Sequence, residues 1–244
     1  MNLDTTRTVR EFATEIPNAT RIFEKFGIDY CCGGGQALAT ACVKAKVSID
    51  QVLHSLQETG TPGTEAAGDA PDFQNSRLAE LIFHILCRHH GYVKQEVPRL
   101  KQLLTKVVAV HGSAHAELAV IQHTFAGVAD ELLGHMMKEE MVLFPYIEAM
   151  EQAIHAGKPV PRPPFGSIAN PVRMMELEHE SAGSALEEIR RLTSGYTPPE
   201  NACFSYKTLY SALKEFEADL HQHVHLENNI LFPRAITLEG EAQV

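Results

Sequence analysis

The chain has 244 residues, 44% of them hydrophobic, with a formal charge of −10, which is enough apolar material to bury a core and excludes wholesale disorder. No cluster of lysines and arginines exceeds two or three neighbours, so the dense basic stripe of a nucleic-acid face is absent. No run of about 18 apolar residues is present to cross a membrane, and the N-terminus has no apolar segment of the kind that forms a secretory signal.

In chain order, the first piece alternates short amphipathic helical stretches with turns. Residues 8–15 form one stretch. Pro17 can open the next as a first-turn residue, and Gly27 closes it. The segment Asp29-Tyr-Cys-Cys-Gly-Gly-Gly reads as a turn, followed by a helical run over 36–46. Ser48, with Gln51 three residues on, reads as a capping box for a last short helix ending near Glu58. Residues 59–75, rich in Gly, Pro, Thr and Asp, read as a flexible linker.

From Ser76 the apolar residues recur at helical spacing in four long stretches, roughly 76–109, 113–156, 171–194 and 201–235. Pro98 is expected to bend the first, and a proline-rich break over 158–171 forces a long connection between the second and third. The expected architecture is all-α: an antiparallel four-helix bundle over 76–237, preceded by a small helical domain over 1–58.

An internal duplication carries the strongest chemical signal. Residues 135–145 read HMMKEEMVLFP and residues 223–233 read HVHLENNILFP, so both fit His-x-x-x-Glu-x-x-x-Leu-Phe-Pro. His90 precedes His135 by 45 residues and His179 precedes His223 by 44. Positions i and i+4 lie on one face of a helix, about 6 Å apart along its axis. His135, Glu139, His223 and Glu227 therefore share an inward stripe with the Leu-Phe that follows each pair. Any one of these histidines alone reads as a core residue satisfied by hydrogen bonds. Two carboxylates and four imidazoles together would cost many kcal/mol to bury without compensation, and a metal pair supplies it.

Four histidines and two carboxylates suit a dinuclear site in which Glu139 and Glu227 bridge the ions. An oxide or hydroxide bridge would complete five-coordination and leave one position open on each. Donors of nitrogen and oxygen without thiolate fit iron, manganese or zinc. Glu131 and Glu178 are candidate supporting residues, each equally readable as a surface acid.

Five cysteines, two of them adjacent, make a poor disulfide framework and point to a reducing compartment. Cys31 and Cys32 are expected to sit in a turn before a helix start, whose amides would favour thiolate. The bland reading of this pair is two small residues in a tight turn. Cys42, Cys87 and Cys203 read as buried apolar residues, and His111 and His115 as surface histidines. His221 and His225, two residues either side of His223, face away from it and are not expected to be ligands. His84 is a candidate for the bundle interior.

The duplicated His-x-x-x-Glu pattern resembles the hemerythrin-type di-iron domain. From Val9 through Pro233 the chain resembles the repair-of-iron-centres (RIC, ScdA/YtfE-type) family, through Gly27-Ile-Asp-Tyr-Cys-Cys-Gly-Gly, His135-Met-Met-Lys-Glu-Glu and Leu226-Glu-Asn-Asn-Ile-Leu-Phe-Pro-Arg-Ala. The resemblance implies a cytoplasmic protein with two iron ions per chain that restores iron–sulfur clusters damaged by nitric oxide or oxidants, by supplying iron. Damaged or apo iron–sulfur proteins would be its partners, and nitric oxide or oxygen its small ligands. It also implies that His90, not His89, is the first-helix ligand, and it turns the reading of Cys31 and Cys32 from structural to functional. One histidine fewer than in oxygen-carrying hemerythrins implies a more accessible, more labile site. The competing readings are a redox enzyme acting on nitric oxide, oxygen or peroxide, and a sensor or carrier of a small gas. Whether the chain forms a homodimer is left open.

Overall fold

A computed structural model describes residues 4–16, 18–59 and 73–242. Residues 60–72 of the linker expected over 59–75 lie outside these residues, as does Pro17. Four short helices come first: α1 (Val9–Glu15), α2 (Ala19–Phe26), α3 (Leu38–Ala45) and α4 (Ile49–Thr59). A capping box starts α1, in which Thr8 Oγ1 accepts from the Glu11 amide at 3.2 Å and Glu11 accepts from the Thr8 amide at 2.6 Å; Thr-x-x-Glu is its sequence signature. Gly27 closes α2 in the left-handed conformation with φ 64°, as its lack of a Cβ allows.

The bundle consists of four rods. The first is α5 (Leu78–Ile85), a π turn (Leu86–His90) and α6 (Gly91–His111). Next come α7 (Glu117–Lys138), a π turn (Glu139–Leu143) and α8 (Phe144–His155). The unbroken α9 (Ala169–Leu192) is the third, and the fourth is α10 (Phe204–Leu226), a π turn (Glu227–Leu231) and α11 (Phe232–Glu241). The expected long helices are therefore present, but three carry a widened turn. Pro98 lies inside α6, which continues on both sides of it. The irregularity of that rod is at Leu86–His90, where the Gly91 amide reaches back five residues to the Leu86 carbonyl. Among the described residues no helix is long and apolar enough to cross a membrane.

Two apolar clusters fill the bundle. One, around Leu81, Ile85, Phe144, Ile147, Leu231 and Phe232, occupies the end formed by α5, α8 and α11. The other, from Val93 to Val224, fills the opposite end and is continuous with Phe12, Phe23, Leu38 and Leu56 of the N-terminal helices. Those helices thus share a core with the bundle.

Each half of the duplication also closes its own helix pair with a buried acid. Glu151 accepts the Leu78 amide at 2.7 Å and the Ala79 amide at 3.2 Å, covering the start of α5 from α8. Glu239, on α11, accepts the Ile168 amide at 3.0 Å and the Ser167 hydroxyl at 2.6 Å just before α9. Both supply the acceptor that a helix N-terminus lacks. Replacing either by alanine orphans buried amides, with an expected loss of about 1–3 kcal/mol of stability. Chemical denaturation of Glu239→Ala checks this, and a loss below about 0.5 kcal/mol would mean that other groups satisfy those amides.

Candidate metal centre

Between the two apolar clusters lies a layer of six polar side chains: His90, His135, Glu139, His179, His223 and Glu227, all buried. They gather into two overlapping sets, His90–Glu139–His223–Glu227 and His135–Glu139–His179–Glu227, each compact enough to hold a cation. The carboxylates are common to both. Glu139 presents Oε2 to His90 Nε2 at 3.5 Å and Oε1 to His135 Nε2 at 3.3 Å. Glu227 presents Oε1 to His223 Nε2 at 3.0 Å and Oε2 to His179 Nε2 at 3.2 Å. Each carboxylate therefore divides its two oxygens between the two sets.

The π turns lie where this layer is built. His90 is the last residue of its turn, while Glu139 and Glu227 are the first of theirs. The Phe144 amide bonds the Glu139 carbonyl and the Phe232 amide the Glu227 carbonyl, five residues back. Pro145 and Pro233 follow at once, with no amide to contribute where the register shifts, and begin the resuming helix with a fixed φ. The repeated Leu-Phe-Pro is thus the sequence trace of a π turn, a device common at functional sites.

The imidazole nitrogens face one another: His90 Nε2 and His223 Nε2 at 3.2 Å, His135 Nε2 and His179 Nε2 at 2.9 Å. Two ligand atoms about 2.1 Å from one ion, at a right angle, stand about 3 Å apart. Among the described residues, both oxygens of Glu139 and Oε2 of Glu227 receive no hydrogen bond, and unsatisfied buried carboxylate oxygens are costly unless a cation meets them. The residues present therefore fit a metal.

The electrostatics agree. Burial alone would protonate both carboxylates, but the imidazoles outweigh it and hold Glu227 well below the usual carboxylate range and Glu139 below it. Burial also opposes charge on the histidines. At His90 and His135 the pull of Glu139 and Glu227 overcomes it, raising them to about 10 and about 9. At His223 burial wins and the imidazole is pushed down. Protons on His90 and His135 thus stand in for the positive charge that a metal would bring.

A second row fixes ring orientation. Nδ1 of His90 bonds Glu140 at 2.8 Å, Nδ1 of His135 bonds Glu178 at 2.8 Å, and Nδ1 of His179 bonds Asn228 at 2.8 Å. Lys94 and Lys138 pair with Glu140 and Glu178 in turn. Such partners turn Nε2 toward the centre and raise its basicity.

The Cys31–Cys32 turn lies nearby. Cys32 Sγ is 3.5 Å from where a Cβ on Gly183 would sit, one helical turn beyond His179. Tyr30 meets the rings of His221 and His225, which flank His223. Asn229 donates to the Tyr30 carbonyl at 2.8 Å and accepts from Arg10 at 2.6 Å. Gly34 is needed there, because a Cβ would stand 2.8 Å from that carbonyl. A cavity of about 610 Å³ opens beside the turn, lined by Asp29, Cys31, Cys32, Glu180 and His221.

Comparison with known proteins now adds to this geometry. Residues 81–235 match the Hemerythrin HHE cation binding domain, and residues 5–59 match a domain of unknown function that carries the name ScdA_N. The iron–sulfur cluster repair protein YtfE of Dickeya chrysanthemi is 39% identical over 95% of this chain and 96% of its own. A probable iron–sulfur cluster repair protein of Haemophilus influenzae is 37% identical over 93% and 95%. The Escherichia coli O81 YtfE is 36% identical over 94% and 96%.

The chain belongs to the YtfE-type iron–sulfur cluster repair family. In this family member the expected set of six side chains is brought together, and His90 rather than His89 faces the centre. Glu178 supports His135 as one of its two readings had it, whereas Glu131 accepts from the Ser181 hydroxyl, at 3.4 Å. Glu140 and Asn228, each one residue after a core glutamate, were not foreseen, although the aligned repeats place them in equivalent positions.

The thiol environment differs from expectation. The amides of Cys31, Cys32 and Gly33 are all taken by the Asp29 carboxylate at 2.9–3.0 Å, and α3 starts only at Leu38. The hydrogen bond to Cys32, burial and the Asp29 charge push the Cys31 thiol well above its ordinary value, so the expected favouring of thiolate does not hold for Cys31. Cys87 and Cys203 are exposed rather than buried; Cys42 is buried as expected. His111 and His115 are half-buried against Tyr206. His84 lines a surface cavity instead of the bundle interior.

Glu139→Gln keeps the shape of the side chain and removes the shared charge. The wild type is expected to melt at lower temperature after chelation, because a metal bound only by the folded state stabilises it, and the variant to melt alike with and without chelator. Equal chelator shifts in both proteins would show that Glu139 contributes nothing to binding.

Proposed function

We propose that His90, His135, Glu139, His179, His223 and Glu227 hold two iron ions, with Glu139 and Glu227 bridging, and that the protein supplies this iron to damaged or apo iron–sulfur proteins in the cytoplasm. The division of each carboxylate's oxygens between two sets of imidazoles carries the reading; the names of the relatives support the direction of the chemistry. Nitric oxide and oxidants are the proposed sources of damage, and the proposed division of labour is a Cys-Cys domain over 1–58 joined through 59–75 to the bundle over 76–237.

Bound iron is the cargo and brings a redox centre to the bundle. The chain's own residues hold it, exclude bulk water and set its charge. Glu139 and Glu227 neutralise two positive charges, and the four imidazoles add neutral donors. Glu140, Glu178 and Asn228 lock three of them in the ligating orientation. A set of nitrogen and oxygen donors without thiolate binds iron(II) less tightly than it would bind zinc or copper, a property that suits a donor.

Cys31 and Cys32, 3.9 Å apart at their sulfurs, are proposed to receive iron as it leaves. Cys32 is half-exposed and is the thiol that a passing ion or a client's cluster meets first. Asp29, anchored on three amides, keeps a fixed negative charge beside it.

The deciding experiment mixes reduced, iron-loaded protein with an apo ferredoxin, sulfide and thiol, and follows cluster absorbance alongside iron content. Two irons per chain that move to the ferredoxin support the reading, and Cys32→Ala is expected to slow transfer more than tenfold. Transfer at an unchanged rate would remove the thiol from the route. Iron retained through repeated turnover of nitric oxide or peroxide would point to a redox enzyme instead.

A further inference from the structure

The duplication permits an internal comparison, because each ligand in one half has a counterpart in the other. His90 and His179 correspond, and the residue after each core glutamate holds its own half's first-helix histidine: Glu140 holds His90 and Asn228 holds His179, both at 2.8 Å. His135 and His223 also correspond, but here the match fails. Nδ1 of His135 is held by Glu178, the residue just before His179. The residue just before His90 is His89, which cannot serve as an anionic acceptor.

His89 instead turns its Nδ1 to Asp219 at 3.1 Å and lays its ring almost parallel to that of His223, 5.5 Å between centroids and 6° between planes. His223 Nδ1 is buried and finds no hydrogen-bonding partner among the described residues. A row of ring contacts, edge-to-face and then tilted, continues outward through His84, 5.7 Å from His89, to Phe73, 4.7 Å further. It ends at a surface cavity of about 510 Å³ lined by Phe73, His84, Cys87 and Arg88.

We infer that the two halves of the centre are unequal, and that the ion held by His90 and His223 is released before the ion held by His135 and His179. The inference rests on the paired-metal reading above. In the His135–His179 half both rings are anchored, one by a carboxylate. In the His90–His223 half only His90 is anchored. An imidazole with no acceptor on its far nitrogen is a weaker donor and swings more freely. Loss of such a partner typically costs 10- to 100-fold in metal affinity. The stacked ring of His89 shields His223 without holding it by a directed bond, and the ring contacts beyond it lead to an opening.

The test uses the full chain, loaded anaerobically with iron(II) and challenged with excess bipyridyl, with release followed by absorbance. Two ions per chain leaving in two phases of equal amplitude, separated by about tenfold or more, is the expected result. Glu178→Ala strips His135 of its acceptor and is expected to speed the slow phase toward the fast one. His89→Ala is expected to change the fast phase alone. Glu178→Gln keeps an acceptor without its charge, so it gives an intermediate slow phase and a second reading should the alanine variant fold poorly. Single-phase release from the wild type, or a Glu178→Ala that speeds only the fast phase, overturns the ordering. Fewer than two ions bound at the outset would instead overturn the paired-metal reading itself.

Discussion

Two ionised carboxylates, Glu139 and Glu227, lie fully buried between two apolar clusters, and the rest of the bundle is arranged around that charge. In water each carboxylate would be solvated at no cost; here three of their four oxygens lack a hydrogen bond among the described residues. Only concentrated positive charge makes the arrangement tolerable. Without a metal, protons on His90 and His135 supply part of it. With one, the cation replaces them, so metal uptake and proton release are coupled. The layer is costly to build and better compensated when occupied, which is the property wanted of a cation site.

Placing that layer requires helices that depart from regular geometry. A regular α-helix puts His135 and Glu139 on one face, but the segment must then return Leu143 and Phe144 to the core. The π turn starting at Glu139 absorbs one extra residue and does so, and the turn starting at Glu227 repeats the device. Outside the centre, Glu151 and Glu239 cap the starts of α5 and α9 from within their own halves. Each half therefore closes its own helix starts, while the metal layer and the packing of α7 on α9 and of α6 on α10 join the halves. The N-terminal helices then dock on α9, α10 and the last π turn through Tyr30, Gly34 and Asn229, which carries the Cys31–Cys32 turn to within one helical turn of the ligands.

Much of this was visible in the chain itself. Apolar periodicity marked the four rods, and the i, i+4 spacing in duplicate pointed to His135, Glu139, His223 and Glu227, because a helix converts sequence spacing directly into a shared face. His90 and His179 came from their matching upstream distances, with His90 preferred to His89 only on the family resemblance. The π turns were hidden, since periodicity analysis assumes one constant turn, although the two Leu-Phe-Pro motifs recorded two of them. Glu151 and Glu239 were overlooked despite each lying 12 residues after its core glutamate, because a lone acid on a helix looks solvated until the partner helix start is in place. The cysteine environment could not be read from the chain. Helix amides stabilise thiolate only if nothing else accepts them, and the Asp29 side chain, two residues earlier, takes all three.

The mismatch between the halves carries more information than their likeness. Where the copies agree, at the ligands, the Leu-Phe-Pro and the capping acids, the shared demand is a buried cation layer and closed helix starts. Where they differ, the demand differs. Glu140 against Asn228 exchanges a charged acceptor for a neutral one, and Glu178 against His89 exchanges an acceptor for a stacked ring. A site built only to retain its metal would anchor all four imidazoles. Leaving His223 unanchored, behind rings that lead to the surface, sacrifices affinity in one half while Glu178, paired with Lys138, holds the other. On the proposed two-ion reading, that division would let the remaining ion keep the buried carboxylates partly compensated while its neighbour departs, so the bundle would not confront two bare charges at once.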